Sequence, residues 1–533
     1  MTGKSILLAG ATLTVLAAFP ANAQQPTLED RIRALEQKLG QPAPNDNQPL
    51  EDRVKALEDK INQKTEDDQA VRTRLSTLEQ QFADTVWTFD NSRPTVQSAD
   101  GRFLMSLRYR FQFDTAFFQQ SSNINSTTAQ IKDLASGSMV RRFYIGAEGR
   151  AFRDFWYEFR LDFGGSNAES TNPIVNLGRI SYNYGNVAYA NETHFRINAG
   201  IIQPMFTYAD SISSASTTFL ERPDVVNIAT TAYGGLDPRR GVELTFQQAD
   251  LIRPGDNLVV SGAFTGQQPG ANPATPTNTT DEGTQILGRI AYRLWSDGFS
   301  NVQIGGNGSH ITNLTGNAVA GGPRTLTLQD RPEVRVDGNR LVSTGAINAK
   351  GGSMWGLETA ANFMNFYLAA EYMHFGVDRD VNCTGCSIAG GNPGNPEFSG
   401  WYIEGSWILT GETKTYQAIA TNNEMGTFNN PRVITPFSWD GRTWGAWELA
   451  ARYSDLDLNW HAGSVGATCT GILLGCVRGG EEKIWTVGLN WYLNNNVLMR
   501  FNYLIVDVSK LNTAGQQIGQ NLDVLAIRLQ YSN

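Results

Sequence analysis

The sequence predicts an all-β fold, a 16-stranded antiparallel transmembrane β-barrel with an N-terminal α-helical coiled coil. Three observations predict it. Side chains alternate in polarity through segment after segment from residue 86 onward, the connections alternate between long and short, and the chain opens on an export signal.

The signal comes first. Lys4 precedes the apolar stretch ILLAGATLTVLAAF, and Ala21-Asn22-Ala23 forms an A-x-A cleavage site, so residues 1–23 read as a signal peptide. An uncleaved anchor helix would need a longer apolar run.

Residues 24–85 follow a helical period. TLEDRIRALEQKLG and PLEDRVKALEDKIN are near-repeats separated by the breaker QPAPNDNQP. Leu28, Ile32, Leu35 and Leu39 step by 4, 3, 4, and so do Leu50, Val54, Leu57 and Ile61. The second register passes through polar Lys64 and Asp68 to Val71, Leu75, Leu78 and Phe82. A 3.5-residue average with charges between the apolar steps is the coiled-coil signature. Self-association is expected, and a seam of mixed Ile, Val and Leu permits trimers.

From residue 86 the helical period gives way to period two. In MVRRFYIGAEGRAFRDFWYEFRLDFGG (139–165), Arg142, Tyr144, Glu148 and Arg150 share one parity and Phe143, Ile145 and Ala147 the other. Strand side chains alternate between faces. In a soluble sandwich the apolar face would be the core; in a membrane barrel it meets lipid and the charged face lines a watery lumen. Sixteen such segments run from 102–117 to 521–531. The connections 118–138, 204–239, 311–353, 378–397 and 457–481 are long, whereas AFRDF, LWSDGFS and LNNN on the other side are short; 410–444 is the exception. Short periplasmic turns alternating with long extracellular loops belong to outer-membrane barrels. Residues 86–533 are therefore expected to form the barrel. Aromatic residues near segment ends, such as Trp485, Trp491, Tyr182 and Tyr184, suit membrane interfaces.

Composition narrows the function. Mean hydropathy is −0.32, and no later run approaches the roughly 20 apolar residues of a membrane helix. A net charge of −9 speaks against a nucleic-acid partner. Four scattered histidines, with neither H-E-x-x-H nor G-x-S-x-G, offer no enzyme motif, and neither a cofactor nor a metal is expected. The cysteines form two close pairs, Cys383 with Cys386 and Cys469 with Cys476, for which local disulfides are expected in an exported protein. A redox C-x-x-C would need a helix start to lower a thiol pKa, and a four-cysteine zinc site would need two loops to meet.

Residues 91–533 hold 28 arginines, five lysines and 38 acidic residues. Guanidinium stays charged at any relevant pH and presents planar paired donors to oxyanions. By parity Arg108, Arg110, Arg142, Arg150, Arg160, Arg179, Arg196, Arg289, Arg293, Arg452, Arg500 and Arg528 point inward. Basic rings select anions in pores. Glu148, Glu158, Asp162, Glu243, Glu371 and Glu448 share that parity, so some arginines are expected only to pair across strands.

Several stretches carry a family likeness: FSGWYIEGSWILTGETKTY (398–416), GAWELAARYSDLDLNW (445–460), VGLNWYLNNNVLMRFNYLIVDV (487–508), GLETAANFMNFYLAAEYMHFGVDR (356–379), RYRFQFD (108–114) and TTFLERPDVVN (217–227). Through them the chain from about residue 100 resembles the porin O/P family of phosphate- and polyphosphate-selective outer-membrane porins. The resemblance implies a homotrimer, a third outer loop folded inward as a constriction, and a coiled coil lying in the periplasm. It adds Ser213, Ser214 and Arg222 as constriction residues, and favours Arg142 because Arg141–Arg142 matches the family's arginine pair; Arg141 itself has outward parity at the loop edge. Two departures stand out. The stretch SISSAS (211–216) lacks the lysine of the phosphate-selective members, and the last aromatic is Tyr531 rather than a terminal Phe.

The expectation is a passive outer-membrane diffusion channel for small hydrophilic solutes, with anions such as phosphate favoured. A weakly selective general porin is the second reading. A barrel that chiefly tethers the envelope, its coiled coil reaching the cell wall, is the third.

Overall fold

The computed structural model describes residues 49–533 apart from 84, 91–92, 121–131, 153, 166–173, 185–192, 235–237, 268–281, 315–323, 381–393, 419–423 and 470–474; before 49 only 33, 34 and 37 are described. The expected signal peptide and the first heptad block (Leu28 to Leu39) lie outside the described residues. So do both members of the first cysteine pair, Cys383 and Cys386. The chain divides into two compact units, Met1–Thr85 and Val86–Asn533.

In the first unit, helix α1 (Leu50–Ala83) spans 34 residues, about 51 Å at a 1.5 Å rise. Leu57 is buried, whereas Ile61, Val71 and Leu75 of the heptad register are exposed.

The second unit is a closed 16-stranded antiparallel β-barrel. Its strands are β1 (Leu104–Gln120), β2 (Gly137–Ala151), β3 (Phe155–Asp162), β4 (Ile174–Tyr184), β5 (His194–Ile202), β6 (Arg239–Ala249), β7 (Asn257–Thr265) and β8 (Thr284–Ser296). They continue as β9 (Asn301–Asn313), β10 (Ile347–Phe363), β11 (Phe366–Arg379), β12 (Glu397–Ile408), β13 (Ala446–Trp460), β14 (Val477–Tyr492), β15 (Val497–Ser509) and β16 (Asn521–Ser532). Each pairs with its neighbour in sequence, and β16 closes on β1 with Arg528 opposite Asp114. Closure leaves no free sheet edge, which lipid would not tolerate. All 16 segments read from period two are strands, because one-residue alternation between lipid and lumen leaves a direct trace in sequence. The faces divide as expected: Phe113, Phe117, Phe143, Phe159 and Ile180 are exposed on the outside, while Gln112, Asp114, Arg142 and Arg179 are buried inside.

The lumen is largely occupied. Loop L3, between β5 and β6, carries the short helix α2 (Tyr208–Ser211) and helix α3 (Asp224–Tyr233). The absence of helical period after residue 86 does not hold here, for a physical reason: α3 (DVVNIATTAY) is only ten residues long, so its polar positions Asp224, Asn227 and Thr231 repeat over fewer than three turns, too short a run to stand out as a period. Inward glycines make room for L3. A Cβ on Gly400 would sit 2.9 Å from the Val225 side chain, and one on Gly488 would sit 3.2 Å from the Phe219 ring. Tyr233, at the end of α3, stacks on Phe375 of β11 at 5.5 Å.

Loop L5, between β9 and β10, also enters. Leu328, Val334, Leu341 and Val342 join Val225, Val226, Ile228 and Ala229 in one apolar cluster. The long turn between β12 and β13, the exception to the loop rhythm, folds back into the barrel as a hairpin of Lys414–Gln417 and Thr427–Pro431. Lys414 pairs with Glu448 of β13 at 3.0 Å, and the Asn430 amide donates to the Ala215 carbonyl of L3 at 3.0 Å. Two strands are absent from the sequence reading: Arg93–Ser98 adds to the start of β1 through pairs such as Thr95 opposite Ser106, and Thr85–Asp90 pairs with Arg93–Ser98.

The two cysteine pairs stand differently. Cys469 and Cys476 are disulfide-bonded, as their spacing in one loop predicts. The disulfide expected between Cys383 and Cys386 falls in the undescribed part of the loop between β11 and β12, so among the described residues Cys469–Cys476 is the disulfide observed.

Candidate functional site

What the inserted loops leave open is a cavity of about 430 Å³ bounded by β1–β4, L3, L5 and the inserted hairpin. Cross-strand register stacks its wall in rows. Arg110, Tyr144 and Asp162 stand opposite one another in one row; Arg108, Gly146 and Arg160 form the next; Ser106, Glu148, Glu158 and Arg179 form the third. Gly146 lets the two strands approach closely between Arg108 and Arg160, since a Cβ there would collide with the Phe159 carbonyl oxygen.

In the third row, two carboxylates serve four guanidiniums. Glu148 holds Arg108 at 2.7 Å and Arg93 at 2.8 Å, while Glu158 holds Arg179 at 2.9 Å and Arg160 at 3.8 Å. The acidic residues of this wall therefore neutralise only part of its charge. Arg110 sits differently: its Nη1 donates to Ser214 Oγ at 2.7 Å and its Nη2 to Ser213 Oγ at 2.8 Å, and no carboxylate among the described residues pairs with it. Tyr144 offers its ring to Arg160 at 4.7 Å and to Arg110 at 5.4 Å, a cation–π contact that holds a guanidinium without cancelling its charge.

A β-bulge explains Arg141. Gln112 faces Arg142 and Phe113 faces Val140, so Arg141 is the extra residue, and both arginines turn inward and are buried. Arg141 binds the L3 carboxylate Glu221 through Nε at 2.7 Å, and Arg142 donates to Gln112 at 2.8 Å.

Of the residues read from sequence, Arg108, Arg110, Arg142, Arg160, Arg179, Ser213, Ser214 and Arg222 border the cavity. Arg222 does so as a clamp, donating to the carbonyls of Ala209, Asp210 and Ile212 and closing L3 on itself. The remaining arginines do not reach the cavity. Arg150 is tied to the Gly101 carbonyl at 2.7 Å. Arg196 is buried away from the opening. Arg289 forks onto Glu358 and the carbonyls of Met425 and Gly426 in the inserted hairpin. Arg500 binds Gln530 and the Ala215 carbonyl, and Arg528 binds Asp114 and Glu221. Arg293 reaches Asn301 and the Tyr416 ring, while Arg452 pairs with Glu333 of L5. Inward parity is not sufficient for lining the channel, because L3, L5 and the hairpin cover arginines such as Arg289, Arg452, Arg500 and Arg528 on the rest of the wall. The sequence reading missed Glu221, Glu333, Glu424 and the L5 arginines Arg331, Arg335 and Arg340. All sit in loops with no period to separate lumen from solvent.

Two loop carboxylates show how L3 is held. Burial alone would raise Glu221, but Arg141, Arg142 and Arg528 outweigh it and hold its carboxyl well below the ordinary range. Asp224 is pushed well above the ordinary range by burial and then by the like charges of Glu482, Glu333 and Asp330. L3 is thus pinned on one side by Glu221, whose carboxylate its arginines favour, while on the other burial and like charges push Asp224 toward its neutral form.

Porin O of Pseudomonas aeruginosa is 23% identical over 451 residues, covering 82% of this chain and 90% of that protein. Among solved structures, OmpT of Vibrio cholerae aligns over 81% of this chain and 98% of its own at 9% identity and a TM-score of 0.43. The DcaP channel of Acinetobacter baumannii aligns over 82% and 99% at 10% identity and a TM-score of 0.41. The family model for phosphate-selective porin O and P matches residues 107–532, almost the whole barrel. This is an outer-membrane channel protein, and the chain belongs to the phosphate-selective porin O and P family.

Proposed function

We propose that the barrel is a passive diffusion channel that prefers anions, phosphate and related oxyanions foremost. One observation carries this: among the described residues, ten arginines and five carboxylates border the open cavity. The net negative composition of the chain does not oppose it, because the balancing acids lie elsewhere or are spent on fixing loops. Guanidiniums partly engaged with Glu148, Glu158 and Tyr144 attract an anion without trapping it, and conduction needs binding weak enough to leave.

Recording in a planar bilayer under a salt gradient tests the proposal. The expected reversal potential has the sign of chloride permeation, and a potential of the cation sign would sink the anion reading in favour of a general porin.

Residues 1–23 would direct export, and α1 would lie on the periplasmic side as the coiled coil of a homotrimer. Exposed Ile61, Val71 and Leu75 on α1 support self-association. Deleting residues 24–85 is expected to lower the temperature at which trimers dissociate in detergent while leaving single-channel conductance unchanged. Unaltered dissociation would remove the helix from assembly.

A further inference from the structure

The barrel unit has only five lysines, and two of them converge at the extracellular mouth. Lys132 comes from the loop L1 between β1 and β2, and Lys510 begins the loop L8 between β15 and β16. Between them runs the L5 segment Arg340–Leu341. Lys132 Nζ donates to the Arg340 carbonyl at 2.6 Å, and Lys510 Nζ lies 3.4 Å from the next carbonyl, that of Leu341. Gln520 of L8 donates to the Lys132 carbonyl at 3.1 Å, tying the first loop to the last. Three loops far apart in sequence therefore hold two ammonium groups over adjacent carbonyls of one strap.

These groups border a second cavity of about 310 Å³, which shares Gln329 and Arg340 with the channel cavity and so opens beside it. Neither lysine is within ion-pair distance of a carboxylate among the described residues. Asp337 acts on Lys132 and Glu482 on Lys510 from farther off, and Asp337 accepts instead from the backbone of Ala135 and Asn339. Burial lowers both lysines from their ordinary values; next in size come the Arg340 charge on Lys132 and the Lys132 charge on Lys510. Like charges held close in a half-buried site are relieved by an anion. Each ammonium has three N–H donors, and one carbonyl uses only one of them.

We propose that Lys132, Arg340 and Lys510 form a docking pocket for a phosphate-class oxyanion, from which it passes to the arginine-lined channel. This rests on the anion-channel reading and adds a place where the anion waits. The volume corresponds to about ten waters at roughly 30 Å³ each, enough for hydrated phosphate or a small phosphate monoester. Ser343, Gln329 and Gln520 supply neutral polar lining, and Leu341 and Val508 an apolar wall.

The test uses the full chain in a planar bilayer, with block of chloride current by inorganic phosphate, and separately by glycerol 3-phosphate, added to one side at a time. In K132Q/K510Q, where glutamine still donates to the strap carbonyls, the extracellular on-rate is expected to fall about ten-fold. Block from the periplasmic side should be unchanged. The difference should fade at 1 M salt, where the Debye length is about 3 Å. Equal extracellular on-rates in wild type and variant, or no extracellular block of either, would overturn the pocket. Block by phosphate but not by the monoester would narrow the ligand to the free ion. If the reversal potential has the cation sign, the anion reading fails, and equilibrium dialysis of phosphate against the detergent-solubilised protein judges the pocket alone. Less bound phosphate in K132Q/K510Q supports it, and equal binding overturns it.

Discussion

Replacing Arg110 with glutamine is expected to lower the anion-over-cation permeability ratio about ten-fold. Arg110 faces the cavity where L3 meets the wall, and its donors go to two serine hydroxyls rather than to a carboxylate. Its full charge is therefore felt by an ion passing beside it. At about 5–6 Å, with an effective dielectric constant between that of a protein surface and that of water, one unit charge is worth about 1–3 kcal/mol. Each 1.4 kcal/mol is roughly ten-fold. Glutamine retains a donor for Ser213 or Ser214, so L3 keeps its contact and the change reports charge. Reversal potentials at 0.1 M salt give the largest signal, since the Debye length there is about 10 Å. An unchanged ratio would show that Arg110 does not shape the conducting path.

Arg528→Gln is expected to be the most damaging substitution to the lumen. Arg528 is fully buried and forks onto Asp114 through two bonds of 2.7 Å while its Nη2 holds Glu221 at 2.7 Å. It joins the seam between β16 and β1 to the base of L3. Removing it strands Asp114 and takes one of three guanidiniums from Glu221, and breaking a buried pair costs about 3–5 kcal/mol. The expected outcome is a lower unfolding temperature in detergent together with noisy, enlarged conductance as L3 loses its anchor. A variant as stable and as quiet as wild type would refute the anchor.

The same anchor sets an acid limit. Glu221 lies well below its ordinary value of 4.5. A depressed carboxylate contributes stability that is complete above its unfolded value and is lost as pH falls through the folded one. Wild type should therefore keep L3 anchored from neutrality to about pH 4.5 and weaken only below that. In Arg528→Gln the loss should be smaller and complete at a higher pH, because one of the three guanidiniums holding Glu221 ionised is gone. Conductance noise against pH reads this directly.

The strands were legible because a barrel wall between lipid and water writes its geometry one residue at a time. Phe143, Ile145 and Ala147 must face out wherever Arg142, Tyr144 and Glu148 face in. Arg141 broke the pattern because an extra residue in β2 adds no mark of its own to the sequence; only the pairing of Gln112 with Arg142 and Phe113 with Val140 exposes it. The inserted hairpin was visible only as a turn too long for its side. Helix α3 was hidden because ten residues repeat the pattern of Asp224, Asn227 and Thr231 over too few turns to be read as a period.

By itself, then, the sequence determined the barrel, its 16 strands, the inside and outside of each, and the supply of inward arginines, since all of these follow from local alternation. Which arginines face open space was decided by tertiary structure. Arg289, Arg500 and Arg528 share the parity of Arg108, Arg110 and Arg160, yet the first three meet the hairpin or L3 and the others meet the cavity. That distinction depends on where loops from distant parts of the chain come to rest, and loops buried in a lumen follow packing and charge pairing rather than any period along the chain.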